Sequence, residues 1–288
     1  MIPSQQAPYP LRLLDPGPWP RGAPGRLLVI TEERAPWCAA AVAAGVECSS
    51  DSRGVLLRGE PAALGALARL LDGAGGAAEL AMASPLLGRR GSSLALGRHR
   101  WRLGGRTRVL GVINTTPDSF SGDGVGRSVD LALDRAAAMV RDGADAIDVG
   151  GESSRPGHSP VSPDEEIERV VPAIARIAAE LAVPVFVDTW KAPVAEEALK
   201  AGASCVNDIW GLRRDPELAA VVARHEAAVV LMHNQLGAEY RDVLGEVLGG
   251  LAESLRLARS ASIPLARIIL DPGIGFGKTP AQSLAVLA

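Results

Sequence analysis

Residues 268–280, IILDPGIGFGKTP, admit two readings that lead to different folds. An apolar run, then glycines, then Gly277-Lys278-Thr279 has the look of a phosphate-binding loop between a strand and a helix. In such a loop a glycine stands five positions before the glycine of Gly-Lys-Thr, and successive backbone N–H groups wrap the phosphates. Here that position is Pro272, which has no N–H and a fixed φ, and Gly273 is one residue out of register. The stretch reads instead as a buried strand ending at Asp271, a glycine-rich turn, and a helix opened by Thr279-Pro280.

Upstream of it the same unit recurs. The segments RVLGVIN (108–114), AIDVGG (146–151), PVFVDT (184–189), CVNDIW (205–210), AVVLMHN (228–234) and RIILDPG (267–273) are rich in Val and Ile. They are apolar on both faces, as buried parallel strands are. Amphipathic helices lie between them. SPDEEIERVVPAIARIAAEL (162–181) has Ser162 as N-cap, Pro163 at the first helical position and Glu165 to complete a capping box. Its Ile167, Val170, Val171, Ile174 and Ile177 share a face. In DPELAAVVARH (215–225) Asp215 takes the same capping part, with Pro216 after it. Six β/α units with short connections predict a parallel barrel or a doubly wound sheet. Polar residues at the strand ends favour the barrel, whose strand C-termini converge on one face. They are Asn114, Gly150-Gly151-Glu152, Asp188, Asn207-Asp208, His233-Asn234 and Asp271.

The rest of the chain divides in two. Residues 1–25 are Pro-rich and read as irregular. Residues 26–92 read as a small α/β extension: a strand in GRLLVITE (25–32), a strand and then a helix from Pro61 to Gly73 in GVLLRGEPAALGALARLLDGAGG (54–76), and a strand in AAELAMA (77–83). No chemistry is assigned to that extension. Residues 93–288 form the barrel region, entered through two short alternating runs and the turn-forming Gly104-Gly105, which suggest a hairpin.

Bulk properties exclude several classes of function. A hydrophobic fraction of 47% with 22% charged residues suits a compact core. A net charge of −3 gives no general attraction to nucleic acid or anionic membrane. Cys38, Cys48 and Cys205 are too few and too odd a set for a disulfide framework, which fits a cytoplasmic setting. No signal-peptide pattern opens the chain, and no apolar run reaches the ~18 residues of a membrane span. The basic residues are nearly all Arg, Lys191, Lys200 and Lys278 being the lysines.

The strand-end loops hold the candidate chemistry, each with a plain structural alternative. In INTTPDSFSGDG (113–124), Asn114, Asp118 and Asp123 offer oxygen to a hard cation such as Mg2+, or they are turn formers. In GGESSRPGHSP (150–160), Arg155 offers an anion clamp, or the segment is a surface loop. Asp188 and Asp271 can accept from the N–H groups of a heterocycle, and Asn207 can donate and accept; each is also compatible with a satisfied buried polar role. His233, alone at a strand end, reads as structural, and no Cys/His spacing for zinc appears.

Four segments carry a resemblance to a known family. GVINTTPDSFSGDG (111–124), DGADAIDVGGESSRPG (142–157), VFVDTWKAPVAEEALKAGASCVNDI (185–209) and ILDPGIGFGKT (269–279) resemble, in order and spacing, the motifs of dihydropteroate synthase. The likeness covers about residues 93–288. It implies a TIM-type (β/α)8 barrel that joins 6-hydroxymethyl-7,8-dihydropterin diphosphate to 4-aminobenzoate, releasing diphosphate, with Mg2+ as cofactor. The resemblance implies catalytic roles for Asn114, Asp118 and Arg155, Asn114 also serving the metal. It assigns substrate contacts to Ser119, Ser154, Asp188, Asn207, Ile209, Met232, Asp271, Gly275 and Phe276. It implies small-molecule partners, no nucleic acid, no membrane, and it admits a homodimer. The family's later motifs, which supply a lysine, an arginine and a histidine, have no counterpart here. Only about six of the eight β/α units are expected, and a fragment of a longer enzyme, with little activity alone, is the corresponding expectation. The alternatives are another pterin-barrel enzyme, such as a methyltetrahydrofolate methyltransferase, and a non-catalytic pterin-binding protein. The anion loops at 114–124 and 150–157 argue against the methyltransferase.

Overall fold

The computed structural model describes residues 11–12, 25–29, 47–51, 54–59, 93–103, 106–116, 128–153 and 160–287. The helix expected at 61–73 and the strand at 77–83 lie outside these. Contacts group the chain into two compact units: Arg90–Met232 with Leu257–Leu270, and Met1–Arg89 with His233–Arg256 and Asp271–Ala288.

At the N-terminal side, β1 (Leu11–Arg12), β2 (Gly25–Val29), β3 (Glu47–Asp51) and β4 (Gly54–Gly59) form an antiparallel sheet in the order β1-β2-β4-β3. The strand expected in 25–32 is thus present over Gly25–Val29, and the one expected ahead of Pro61 over Gly54–Gly59. β3, with polar Glu47, Ser49, Ser50 and Asp51, has too little apolar character to be found by pattern.

The larger unit opens with a hairpin, β5 (Ser93–Leu96) and β6 (His99–Arg102). Its turn falls at Gly97-Arg98 rather than at Gly104-Gly105, which lie outside the described residues. Gly97 has φ +55°, the left-handed conformation a two-residue hairpin turn needs. Along the chain, which passes into the other unit at His233–Arg256 and again from Asp271 onward, come β7 (Leu110–Asn114), α1 (Val129–Arg141), β8 (Ala146–Gly150), α2 (Pro163–Glu180), β9 (Val185–Asp188), α3 (Ala192–Lys200), β10 (Cys205–Asp208), α4 (Leu218–Arg224), β11 (Ala228–Met232), α5 (Val243–Ser260), β12 (Ile268–Asp271) and α6 (Pro280–Leu287).

β7 to β12 form one sheet in strictly sequential order, and the pairs from β7 to β11 are parallel. A doubly wound sheet reverses its strand order at a switch point; this sheet has none and winds in one direction, as barrel strands do. Among the described residues β7 and β12 are not paired with each other, so six β/α units are present and the sheet keeps two edges.

Strand parity separates two faces. Leu94, Leu96 and Trp101 of the hairpin pack with Ala146, Phe186, Cys205, Ala228 and Val230, and Leu110 and Ile269 lie against the cluster. These are the inner residues near the N-terminal ends of the strands. Two steps further along the same face stand Val112 and Asn114 of β7, Asp148 and Gly150 of β8, Asp188 of β9, Asn207 of β10 and Met232 of β11. The inner face is apolar at its floor and polar at its rim because a period of two carries both. Val112 is 54% exposed although it belongs to this face, as an edge strand allows.

Local capping follows the sequence with two corrections. Ser162 Oγ accepts from Glu165 N at 3.2 Å, but the Glu165 carboxylate pairs with Arg169, so half of the expected capping box forms. Asp215 does not cap α4 directly, which starts at Leu218; its Oδ1 accepts from Glu217 N at 2.9 Å. Its Oδ2 accepts from Ala192 N at 2.8 Å, supplying a cap for α3, whose own N-cap residue Lys191 has none. On α6 the box is complete: Gln282 N donates to Thr279 Oγ1, and Thr279 N to Gln282 Oε1.

Candidate active site

The polar rim of the larger unit is built on β7 to β10. Gly150 lies between Asn114 and Asp188: a Cβ added there would sit 3.4 Å from Asp188 Oδ2 and 3.6 Å from Asn114 Oδ1. The β8–β9 register places Gly150 opposite Asp188, and the β7–β8 register places it opposite Asn114. A side chain at 150 would therefore enter the space between the two oxygens.

Asp148 is the residue that sequence reading missed. It stands two residues before Gly150, inside a strand that is buried throughout. Its Oδ2 accepts from Asn207 Nδ2 at 2.9 Å, while its Oδ1 is buried without a hydrogen-bond partner among the described residues. Burial raises its pKa to about 6, against the opposing effect of the Asn207 hydrogen bond. Asp188 is raised well above the ordinary carboxylate range, first by burial and then by the charge of Asp148. Two neighbouring buried carboxylates and one amide make a site that wants N–H donors. The sequence does carry a signal for it, because an acid at even spacing from Gly150 shares its face, but that signal lies inside the strand and not at its end.

Next to Asn207, Asp208 points to the outer face. Its carboxylate accepts from Trp210 N at 2.8 Å and Leu212 N at 2.6 Å, which shapes the turn that carries Ile209. Burial raises its pKa to about 6. Leu212 takes φ +63° in this turn. Met232 ends β11 and is buried.

A buried ion cluster closes the base of the β8 loop. Lys191 Nζ bonds the Glu152 carboxylate, the Val161 carbonyl at 2.6 Å and Glu166 Oε2 at 2.5 Å. Glu166 is 1% exposed and occupies the apolar face of α2, where Ile167 and Val171 are only half-buried. Lys191 thus holds residues on both sides of the loop at 153–160. Ser154 and Arg155 of that loop, and Asp118 and Ser119 of the loop after β7, lie outside the described residues.

In the other unit, His233, Asp271 and the glycine-rich loop form their own arrangement. His233 N donates to the Asp271 carbonyl at 2.9 Å. Asp271 Oδ1 accepts from Gly273 N at 2.7 Å, leaving Oδ2 for other partners. Gly273 (φ +70°) and Gly277 (φ +54°) are required twice over. An added Cβ would stand 2.0 Å from the His233 carbonyl oxygen and 2.4 Å from that of Gln235, respectively. These two glycines serve packing of the loop on residues 233–235. Gly275 (φ +82°) has open space around its Cβ direction. Gly275→Ala is therefore expected to cost about 1 kcal/mol, the backbone strain alone; urea denaturation of the variant measures it.

Residues 110–288 match the family described as pterin binding enzyme. Dihydropteroate synthase of Bacillus subtilis is 53% identical over 182 residues, which are 63% of this chain and 64% of that protein. The chain thus spans just under two thirds of that relative. The crystal structure of dihydropteroate synthase from Clostridium difficile in the presence of pteroic acid is 48% identical, with a TM-score of 0.61 over 64% of this chain and 70% of that one. That of Xanthomonas albilineans, with 4-aminobenzoic acid, is 40% identical, with a TM-score of 0.64 over 68% and 72%. Sequential strand order, the polar inner rim and these likenesses agree: the chain belongs to the dihydropteroate synthase family of pterin binding enzymes.

Proposed function

We propose that this chain carries the pterin-binding machinery of a dihydropteroate synthase, the enzyme that joins 6-hydroxymethyl-7,8-dihydropterin diphosphate to 4-aminobenzoate in folate biosynthesis. The observation that carries the reading is the inner-rim group of Asp148, Asp188 and Asn207, with one buried carboxylate oxygen unpartnered. A pterin ring presents several N–H donors on one edge and an acceptor beside them, which Asp148, Asp188 and Asn207 complement. Ile209 and Met232 of the same unit keep the substrate contacts that the resemblance assigns them; in the other unit Asp271, with Oδ2 left over, is an acceptor in its own right, and Gly275 and Phe276 keep their assigned contacts.

In the reaction the amine nitrogen bonds the pterin methylene carbon, the C–O bond to diphosphate breaks, and the amine gives up a proton. Negative charge builds on the leaving diphosphate, so cationic and N–H groups aimed there lower the barrier. Asn114, Asp118, Ser119, Ser154 and Arg155 are the residues for that end. Among the described residues no cluster of three His, Cys, Asp or Glu is arranged to hold a metal. Asn114 Oδ1, an exposed hard oxygen beside Asp188, fits Mg2+, which takes few protein ligands and fills its shell from phosphate and water. When bound, that ion supplies charge to the leaving group. A cytoplasmic location and a homodimer belong to the same reading. No described helix is long and apolar enough to cross a membrane.

Calorimetry of the chain with the pterin diphosphate, with and without Mg2+, tests the proposal. Binding that tightens with Mg2+ is expected. Failure to bind, or metal-independent binding of methyltetrahydrofolate instead, would overturn it.

A further inference from the structure

The Gly-Lys-Thr element of the β12 loop is left without a part in this reading, yet Lys278 is buried and closely held. It is 8% exposed. Its Nζ donates to the Gly273 carbonyl at 3.0 Å and the Phe276 carbonyl at 3.1 Å. It also faces His233, with the ring Nδ1 at 3.2 Å and the carbonyl at 3.4 Å. The ring of Tyr240 lies 5.9 Å from the ammonium. No described carboxylate comes within ion-pair distance of Nζ, so this buried cation is held by dipoles. Burial lowers its pKa, and the charge of Asp271 acts in the opposite sense.

The hydrogen bonds form a relay. Gly273 accepts from Lys278 through its carbonyl and donates through its N–H to Asp271 Oδ1 at 2.7 Å. The same carbonyl accepts from Phe276 N at 3.1 Å. One peptide residue therefore links the ammonium to the Asp271 carboxylate, and one carbonyl links it to the backbone of Phe276. A left-handed glycine has no side chain to hold such a turn in place, so its conformation depends on bonds made from outside it. The His233 Nδ1 can accept from the ammonium in the tautomer that carries the imidazole proton on Nε2.

We propose that Lys278 is a positioning residue for the pterin and amine site: it orients the Asp271 carboxylate through Gly273 and seats Phe276, without touching substrate. This rests on the reading of Asp271 as a pterin acceptor. It differs from the phosphate contact a Gly-Lys-Thr sequence suggests, because every Nζ hydrogen bond goes to the chain itself. It also explains why the loop's unusual glycine conformations are compatible with a preformed site: the ammonium gathers two carbonyls from the loop and one from the segment after β11.

A double-mutant cycle on the full chain separates positioning from bulk stability. Pterin diphosphate affinity is measured by calorimetry in wild type, Lys278→Met, Asp271→Asn and the double variant. Lys278→Met is expected to weaken binding about 10-fold in the wild-type background and less than about 2-fold when Asp271 is already Asn. Equal losses in both backgrounds, or no loss in either, would overturn the inference. Lys278→Gln, which keeps an N–H donor, is expected to recover part of the affinity. It also serves in the same cycle should Lys278→Met fail to fold. Amide hydrogen exchange at Gly273 and Phe276 gives a readout without ligand. Protection is expected in the wild type and loss of it, confined to this loop, in the variants; unchanged protection would overturn the proposal. Wild-type chain that does not bind the pterin diphosphate would instead count against the synthase reading, with the exchange result still deciding the role of Lys278.

Discussion

Asp148→Asn is expected to stabilise the unliganded protein at pH 7 and at the same time to weaken pterin binding about 100-fold. The carboxylate is fully buried, with Oδ1 unpartnered and Asp188 as a like-charged neighbour. Its pKa rises to about 6 because burial disfavours the charge. A raised carboxylate pKa means that the folded state holds the proton more tightly than the unfolded state. The favourable contribution is then fully present below the unfolded value and is lost as pH rises through about 6. At pH 7 the ionised group therefore opposes folding. An amide can still accept from Asn207 Nδ2 through its oxygen and can donate to Asp188 through its nitrogen, which also removes the charge repulsion. Urea denaturation of both proteins at pH 7 and pH 4 checks the sign: the variant's advantage should be present at pH 7 and shrink towards zero at pH 4. The binding loss follows because the pterin N–H groups meet an amide where they need a carboxylate.

Lys191→Met is expected to destabilise the chain by roughly 3–5 kcal/mol, the cost of leaving buried acids without their cation. The ammonium has two carboxylate partners, Glu152 and Glu166, and Glu166 is almost wholly enclosed. Burial raises the Glu166 pKa and the hydrogen bond from Lys191 is the largest effect opposing it, so removing the lysine raises it further. Protonated Glu166 needs no cation, so the loss should diminish as pH falls into the carboxylate range. Adding Glu166→Gln to Lys191→Met should restore part of the stability at pH 7. Thermal and urea unfolding across pH 4.5 to 8 reads both effects, and a loss that is the same at every pH would show that the cluster's charges are not its cause.

Both residues show where sequence reading stopped. The succession of β and α segments was readable because each carries its own period: Val and Ile runs for buried strands, and Pro after a cap for helix starts. Pro272 in place of a glycine was enough to turn IILDPGIGFGKTP from a phosphate loop into a strand and its turn. Asn114, Asp188 and Asp271 could be picked out because each ends a strand, and Asn207 because it stands next to the end of one. Asp148 lies within one, and it becomes part of the site only when parity is followed inward from the rim.

Pairings between distant residues had no local signal at all. Glu166 sits in the first turn of α2, where an acid is ordinarily a solvated partner of the helix dipole. Its burial depends on Lys191, 25 residues away. Lys278 meets His233 across 45 positions, and Asp215 caps α3 from 23 residues away. Hydrophobic period and capping chemistry act over a few residues, so they settle in sequence which segments are strands and helices and in what order the strands follow. Which buried charge finds which partner, and which glycine faces another backbone rather than a ligand, depends on side chains brought close by the winding of the sheet. Desolvation then makes those long-range pairs matter, because a buried charge or N–H without a partner costs far more than the same group in water.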